Sequence, residues 1–240
     1  MNLEFEKFVK SFNMNDENIM RKYKHSLRVQ RLCEELGKSR RDLASVIGLL
    51  HDYGRFYQWS KYKSFNDKES IDHADYAVYK LFEQNQIEKF YKNVNDYQII
   101  YDAIKYHNKY SIGDNARDKF MCELIRDADK LDLLYMYEIC DLKLLEDGNV
   151  SDKVNIEFYS HNLIKFKDIK SKIDRSINIL SFVFDLNLID SYHYLKKNKI
   201  YEKIYKKIVN KEIFENYFIE IENYIDLKLR EDDKDVRKKI

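Results

Sequence analysis

Proline is absent from this chain of 240 residues, and glycine occurs only five times. Both residues interrupt helices and build the tight turns that connect strands, so their scarcity argues against a β-sandwich or a β-barrel. The sequence therefore predicts an all-α protein. An apolar fraction of 44% is ample for a hydrophobic core and argues against a chain that is disordered throughout.

The chain also has almost no net charge, few cysteines and no long apolar run. The 43 basic and 42 acidic side chains leave a net charge of +1, which gives no global reason to expect nucleic acid or an anionic membrane as partner. No apolar run approaches the roughly 18 residues of a transmembrane helix, and the charged N-terminus lacks the apolar stretch of a signal peptide. The odd, widely spaced cysteines Cys33, Cys122 and Cys140 are typical of reduced thiols. We expect a cytoplasmic protein.

Apolar residues recur at helical spacing along most of the chain. Helices are predicted over residues 15–37, 40–52, 67–86, 95–108 and 117–138. Residues 55–66 (RFYQWSKYKSFN) are predicted to form an aromatic, basic loop. A polar, turn-rich stretch at 146–153 separates a helical domain, residues 1–145, from a helical C-terminal extension, residues 146–240, which is expected to pack on it.

The extension contains a lysine-rich segment, residues 196–211 (KKNKIYEKIYKKIVNK), that resembles a nucleic-acid- or membrane-binding patch. Ile200, Ile204 and Ile208 recur every four residues, however, which is the pattern of an amphipathic helix with a solvated lysine face. We therefore predict an ordinary surface helix. The apolar faces of the extension can pack internally or against a second copy of the chain, so a homo-oligomer stays an open alternative.

Polar residues lie on or beside apolar helical faces in the first 145 residues. They are four histidines and two aspartates: His25, His51, Asp52, His73, His107 and Asp129. A single inward histidine is usually satisfied by protein groups, but a buried aspartate is costly without a cation or several donors. Imidazoles and carboxylates are natural ligands of Mn, Fe, Ni, Co and Zn, so one or two such ions would remove the cost. No CxxC or HExxH motif decides between a metal site and a satisfied polar core.

The phrases HSLRV, LLHDYGRF, DHAD and RDADKLD resemble the HD-domain metal-dependent phosphohydrolases over roughly residues 20–138. The resemblance implies an HD-domain helical bundle in which His25, His51, Asp52 and Asp129 hold the first metal ion, with Asp127 competing with Asp129. Beyond residue 138 the likeness is to small bacterial members with a helical C-terminal extension, and it carries no functional residues.

His73 and His107 match two further histidines of dinuclear members of the family. They imply a second metal ion bridged by Asp52 or, alternatively, groups that support a single ion or bind substrate. The implied activity is hydrolysis of a phosphoester or phosphoanhydride in a nucleotide or a related small phosphorylated molecule. The predicted catalytic residues are Asp52, His73 and Asp127, with His107 as a further candidate proton acceptor.

Substrate phosphates need cationic partners, and four basic residues lie beside the motif positions: Arg55, Lys130, Lys105 and Arg126. For each of them a surface salt bridge is the alternative. Two other functions stay open. Some HD-fold proteins with six ligands of this type hold a di-iron centre and use O₂, and others are non-catalytic ligand-binding regulatory domains.

Overall fold

The computed structural model describes residues 1–139 and 143–238, so Cys140 lies outside the described part. Within these ranges every regular element is a helix and no β-strand is found, which confirms the all-α prediction. The chain divides into two compact units, one spanning Met1–Asp132 and one beginning at Leu133. The boundary predicted at residue 145 falls inside the second unit, and the two-part organisation proposed from the sequence stays a prediction.

The helices of the first unit carry the polar residues singled out above. They are α1 (Asn2–Lys10), α2 (Glu17–Leu36), α3 (Arg41–Leu50), α4 (Tyr53–Tyr62), α5 (His73–Val78), α6 (Tyr97–Tyr106) and the greater part of α7 (Lys119–Ile139). A π-helical turn, Tyr79–Glu83, extends α5, and short 3₁₀ turns lie at Lys38–Arg40, Gln86–Lys89 and Val94–Asp96. The predicted helices at 15–37, 40–52, 95–108 and 117–138 are confirmed with small shifts at their ends.

Helices α2 and α3 form a closely packed pair that holds two of the histidines. The Asp16 carboxylate accepts the N–H of Asn18 and so caps α2, which ends at Gly37. Gly48 lets α3 approach α2, because a Cβ at this position would lie 2.9 Å from the Cα of Gln30 and 2.9 Å from the Val29 carbonyl oxygen. This close approach brings the end of α3 against the middle of α2.

The loop predicted at residues 55–66 is wrong, because most of this segment is helical as α4. Tyr53 and Phe56 are buried, and the Tyr53 ring stacks on Phe8 of α1 at a centroid distance of 3.8 Å. Aromatic contacts with α1 therefore stabilise a helix that has no clean apolar stripe of its own. The helix predicted over 67–86 begins only at His73, where the Asp72 carboxylate caps α5.

Gly54 lies in the first turn of α4, close to the backbone at the start of α5. A Cβ at this position would lie 2.1 Å from the carbonyl oxygen of His73. We expect Gly54→Ala to lower the free energy of unfolding by about 1–3 kcal/mol, because backbone must move to relieve the overlap. Denaturant titration measures this, with exposed Ser60→Ala in the same helix as control. A change below about 0.5 kcal/mol would show that the two helices separate at no cost.

The second unit is also helical in its described part. It contains α8 (Asp152–Tyr159), α9 (Lys172–Leu180), α10 (Ile189–Asn198), α11 (Ile200–Lys206) and α12 (Lys211–Lys238), with 3₁₀ turns at Phe166–Asp168 and Ser181–Asp185. Ile200, Ile204 and Ile208 are buried while Lys203 and Lys206 are exposed, which confirms the amphipathic pattern of the lysine-rich segment. Among the described helices, none is long and apolar enough to cross a membrane.

Candidate metal centre

The four histidines and two aspartates converge inside the first unit. His25 lies in the middle of α2, His51 and Asp52 connect α3 to α4, His73 begins α5, His107 follows α6, and Asp129 lies in α7. The imidazoles and Asp52 are buried, whereas the Asp129 side chain is 25% exposed. Asp129 therefore marks the side on which solvent reaches the group.

Four of these residues form a first cluster, consisting of His25, His51, Asp52 and Asp129. The Nε2 atom of His25 lies 3.2 Å from His51 Nε2, 3.4 Å from Asp52 Oδ2 and 3.2 Å from Asp129 Oδ1. His51 Nε2 lies 3.5 Å from Asp52 Oδ2 and 3.8 Å from Asp129 Oδ1. The Asp129 carboxylate therefore lies beside the Nε2 atoms of both imidazoles.

A second cluster consists of Asp52, His73 and His107. The Nε2 atoms of His73 and His107 lie 3.0 Å apart, and they lie 3.4 Å and 3.8 Å from Asp52 Oδ1. Asp52 belongs to both clusters, because its Oδ2 faces His25 and His51 while its Oδ1 faces His73 and His107. One carboxylate thus stands between two sets of imidazoles, as in a bridging ligand.

Every imidazole in the two clusters has its Nδ1 atom within hydrogen-bond distance of an oxygen acceptor. His51 Nδ1 lies 2.8 Å from the Gly48 carbonyl, and His107 Nδ1 lies 2.6 Å from the Ile104 carbonyl. His25 and His73 use carboxylates instead, those of Asp132 at 2.6 Å and Asp67 at 2.9 Å. Carbonyl and carboxylate oxygens only accept, so each Nδ1 carries the proton and each neutral imidazole turns an unprotonated Nε2 toward Asp52.

These donor sets fit a metal ion. Unprotonated nitrogens and carboxylate oxygens that face one another at 3.0–3.8 Å repel unless a cation lies among them. Ligands about 2.0–2.1 Å from a transition metal ion are about 3.0–3.4 Å from each other, which is close to the separations in both clusters. Three-membered groups of His25, His51 and Asp52 and of Asp52, His73 and His107 can each hold an ion.

The electrostatics of the first cluster favour a positive charge. Burial and the nearby Lys22 oppose a charged His25, but hydrogen bonds to Asp129, Asp132 and Asp52 outweigh them and raise its pKa to about 10. A proton on His25 is therefore the cation that the carboxylates hold when no metal ion is bound. Burial would also raise the pKa of Asp52, but Lys22 and the surrounding imidazoles hold it well below its usual value.

The second cluster differs in charge. Burial lowers the pKa of His73 to about 4, because the Asp67 hydrogen bond opposes this only in part and the charge of Arg55 adds to it. His73 is thus neutral at pH 7 and can bind a metal ion without first losing a proton. The two clusters share Asp52 but differ in histidine protonation, because His25 of the first cluster carries a proton at this pH and His73 of the second does not.

Two cations flank the bridging carboxylate. Lys22 Nζ donates to Asp52 Oδ2 at 2.6 Å, and Arg55 Nε lies 3.5 Å from Asp52 Oδ1. Both also lie over the ring of Phe65, at 5.5 Å for Lys22 and 5.9 Å for Arg55. Their side chains are 18% and 17% exposed, so this edge of the centre is open to solvent.

The other basic residues predicted to bind phosphate have different surroundings. Arg126 is buried and donates to the carbonyl oxygens of Tyr106 and Lys109, and so it connects α7 to the end of α6. The Lys130 ammonium donates to the Arg126 carbonyl at 3.3 Å, and that of Lys105 lies 5.4 Å from the Tyr101 ring centroid. Asp127 is fully buried. The roles assigned to these residues from the sequence stay predictions.

Sequence reasoning missed Lys22, Asp67 and Asp132, whose charged side chains contact the clusters. Asp132 lies three residues after Asp129 in α7, and this spacing places both on one helical face, which is a signal that the sequence does contain. Lys22 lies three residues before His25 and has the same signal. Asp67 lies in a loop without periodicity, so only the fold reveals its contact with His73.

Comparison with protein families gives a match between residues 23–134 and the family model described as HD domain. This part of the chain is an HD domain. The match begins just before His25 and ends just after Asp132, and it is consistent with the superfamily of HD-domain metal-dependent phosphohydrolases. No curated protein and no solved structure matches the chain significantly. The all-α HD fold expected from the sequence is confirmed, followed in the described residues by a helical C-terminal part.

Proposed function

We propose that the HD domain binds two divalent transition metal ions, of the Mn, Fe, Ni, Co or Zn type, and hydrolyses a small phosphorylated molecule. The observation that carries this proposal is the pair of clusters, in each of which histidine Nε2 atoms face an oxygen of one shared carboxylate, that of Asp52. His25, His51, Asp52 and Asp129 would hold the first ion, and Asp52, His73 and His107 would hold the second. A bound ion would lower the pKa of water and polarise a phosphoryl oxygen.

The chain's own residues then bind and orient the substrate. Asp129, Lys22 and Arg55 are partly exposed beside the centre, so the phosphate is expected to arrive on their side. Arg55 is fixed by hydrogen bonds to Asp67 and to the Phe65 carbonyl, whereas the Lys22 ammonium donates to Asp52 and lies over the Phe65 ring. We assign to Lys22 the direct contact with phosphate. Arg55 is assigned a nearby positive charge that attracts the phosphate without contacting it.

A planar group has a surface on which to stack beside this phosphate position. The rings of Phe65 and Trp59 stack at a centroid distance of 4.8 Å, and Arg21 joins Lys22 and Arg55 around Phe65. Aromatic rings next to cations favour a phosphorylated molecule that carries a base, so a nucleotide is the proposed substrate class. The proton acceptor is proposed among the carboxylates Asp52 and Asp127, because His73 would use Nε2 for the second ion and holds its proton on Nδ1.

The function is tested by a screen of purified protein against phosphomonoesters, phosphodiesters and nucleotides with Mn²⁺, Ni²⁺, Co²⁺ and Mg²⁺ in turn. We expect phosphate or nucleotide release that depends on a transition metal ion and proceeds without O₂. O₂ consumption by an iron-loaded protein would replace hydrolysis by the di-iron oxygenase alternative. Metal binding without either reaction would favour a regulatory ligand-binding domain.

Lys22→Ala is expected to lower kcat/KM for the phosphorylated substrate about 10- to 100-fold, mainly through KM, because it removes one charge-assisted hydrogen bond to phosphate. The assay uses saturating metal ion, since Lys22 also contacts Asp52. Lys24→Ala is the matched control, as Lys24 lies on the same helix and is exposed. Equal kinetics for both variants would remove Lys22 from the substrate site.

A further inference from the structure

The histidines of each cluster are supported in two different ways. His51 and His107 donate from Nδ1 to the main-chain carbonyl three residues earlier, Gly48 and Ile104. His25 and His73 donate instead to carboxylates, and each carboxylate is bound by an arginine. Each cluster thus has one histidine fixed by the backbone and one fixed by an Arg–Asp pair.

The first triad is Arg28–Asp132–His25. Asp132 is almost fully buried, and its Oδ2 lies 2.6 Å from His25 Nδ1. Arg28 donates to both carboxylate oxygens, from Nε at 2.6 Å and from Nη2 at 2.9 Å. Such a bidentate pair fixes the carboxylate in one plane and therefore fixes the orientation of the imidazole.

The second triad is Arg55–Asp67–His73. The Asp67 oxygens lie 2.9 Å and 3.0 Å from His73 Nδ1, and Arg55 donates to Oδ1 at 2.8 Å. Gln58 donates to the same oxygen at 2.8 Å, and Asn108 donates to Oδ2 at 3.1 Å. Both oxygens of Asp67 are therefore fixed, although the residue lies in a loop.

We propose that Asp132 and Asp67 are positioning residues that set the Nε2-unprotonated tautomer of His25 and His73, each for one metal position. This inference rests on the proposed metal binding. A carboxylate can only accept, so it forces the imidazole proton onto Nδ1 and leaves Nε2 for the ion. The Gly48 and Ile104 carbonyls hold the proton of His51 and His107 on Nδ1 in the same way, and no side-chain substitution removes these carbonyls.

The two triads act on different positions, which gives the proposal its distinguishing consequence. The second cluster has only three protein groups, so its affinity depends more on the geometry of each. Asp67→Asn is expected to lower the affinity of the second ion by about 10- to 100-fold and to leave the first ion bound. Asp132→Asn is expected to weaken the first ion by a similar factor.

The experiment measures metal stoichiometry and affinity in wild-type protein, Asp67→Asn and Asp132→Asn, by elemental analysis and calorimetry with Zn²⁺ or Mn²⁺. Nitrogen NMR of the histidine rings in the Zn²⁺-bound protein reports the tautomer directly. Asp102→Asn is the matched control: Asp102 is also a buried carboxylate, but it accepts from the Arg117 N–H and from Gln98. Where an Asp variant does not fold, Arg28→Gln or Arg55→Gln tests the same triad.

Two ions in the wild type, selective loss of one in each variant and a shifted tautomer of the corresponding histidine would support the proposal. Unchanged affinities and tautomers in both variants would overturn it while metal binding itself stands, and so would a wild-type protein that holds a single ion at saturation. A wild-type protein that binds no transition metal would instead overturn the proposed function, and the positioning roles with it.

Discussion

Asp52→Ala is expected to abolish binding of both metal ions and to lower hydrolysis by about 10³-fold or more. Asp52 is the one residue that belongs to both clusters, with Oδ2 facing His25 at 3.4 Å and Oδ1 facing His73 at 3.4 Å. Its removal takes one ligand from each position and the negative charge between them. A thousand-fold loss corresponds to about 4 kcal/mol of transition-state stabilisation, which is within what a bound metal ion supplies.

Elemental analysis of the purified variant and an activity assay at saturating metal measure this effect. Asp102→Asn controls for the loss of a buried carboxylate elsewhere in the same unit. Circular dichroism shows whether the variant folds, and Asp52→Asn keeps the side-chain volume if alanine proves disruptive. Survival of both metal binding and hydrolysis in the folded Asp52→Ala protein would refute the whole site assignment.

The sequence predicted the inward direction of the histidines because local periodicity determines it. His25 is one turn from Val29 on α2, and His107 follows Ile100, Ala103 and Ile104 on α6. Helices with a clear apolar stripe have one way to bury it, so their faces can be assigned without the fold. The resemblance to a family then predicted that residues on helices far apart in the chain belong to one site. Periodicity alone cannot predict this.

Helix α4 could not be predicted in this way, because its stability comes from partners distant in sequence. Tyr53 stacks on Phe8, and the Trp59 indole donates to Asp16, so two faces of α4 are stabilised by residues more than 40 positions away. The surroundings of the basic residues also depend on the fold. The guanidinium of Arg126 donates to two main-chain carbonyls about 20 positions earlier in the chain, and its predicted phosphate contact stays a prediction.

Uptake of the first metal ion is expected to release about one proton per chain, and the affinity for that ion to rise about 100-fold between pH 6.5 and pH 8.5. The pKa of His25 is about 10 in the absence of metal, so His25 carries a proton across this range and must lose it to coordinate through Nε2. Asp52 and Asp129 have pKa values held well below their usual range and contribute no proton.

The same pKa sets the pH dependence of stability in the metal-free protein. Because the folded-state pKa of His25 is above the unfolded value of about 6.5, its contribution to stability is fully present below pH 6.5. That contribution is lost as the pH rises toward 10. Metal-free protein is therefore expected to become less stable in alkali over the range in which its affinity for the first ion increases.

Calorimetric titrations in buffers of different ionisation enthalpy count the protons released. The second ion provides an internal control, because the pKa of His73 is about 4 and its coordination near pH 7.5 should release no proton from the protein. A count near zero for the first ion would mean that His25 is neutral before metal arrives. The carboxylates of Asp52, Asp129 and Asp132 would then be balanced by Lys22 and Arg28 alone, and the affinity would be independent of pH.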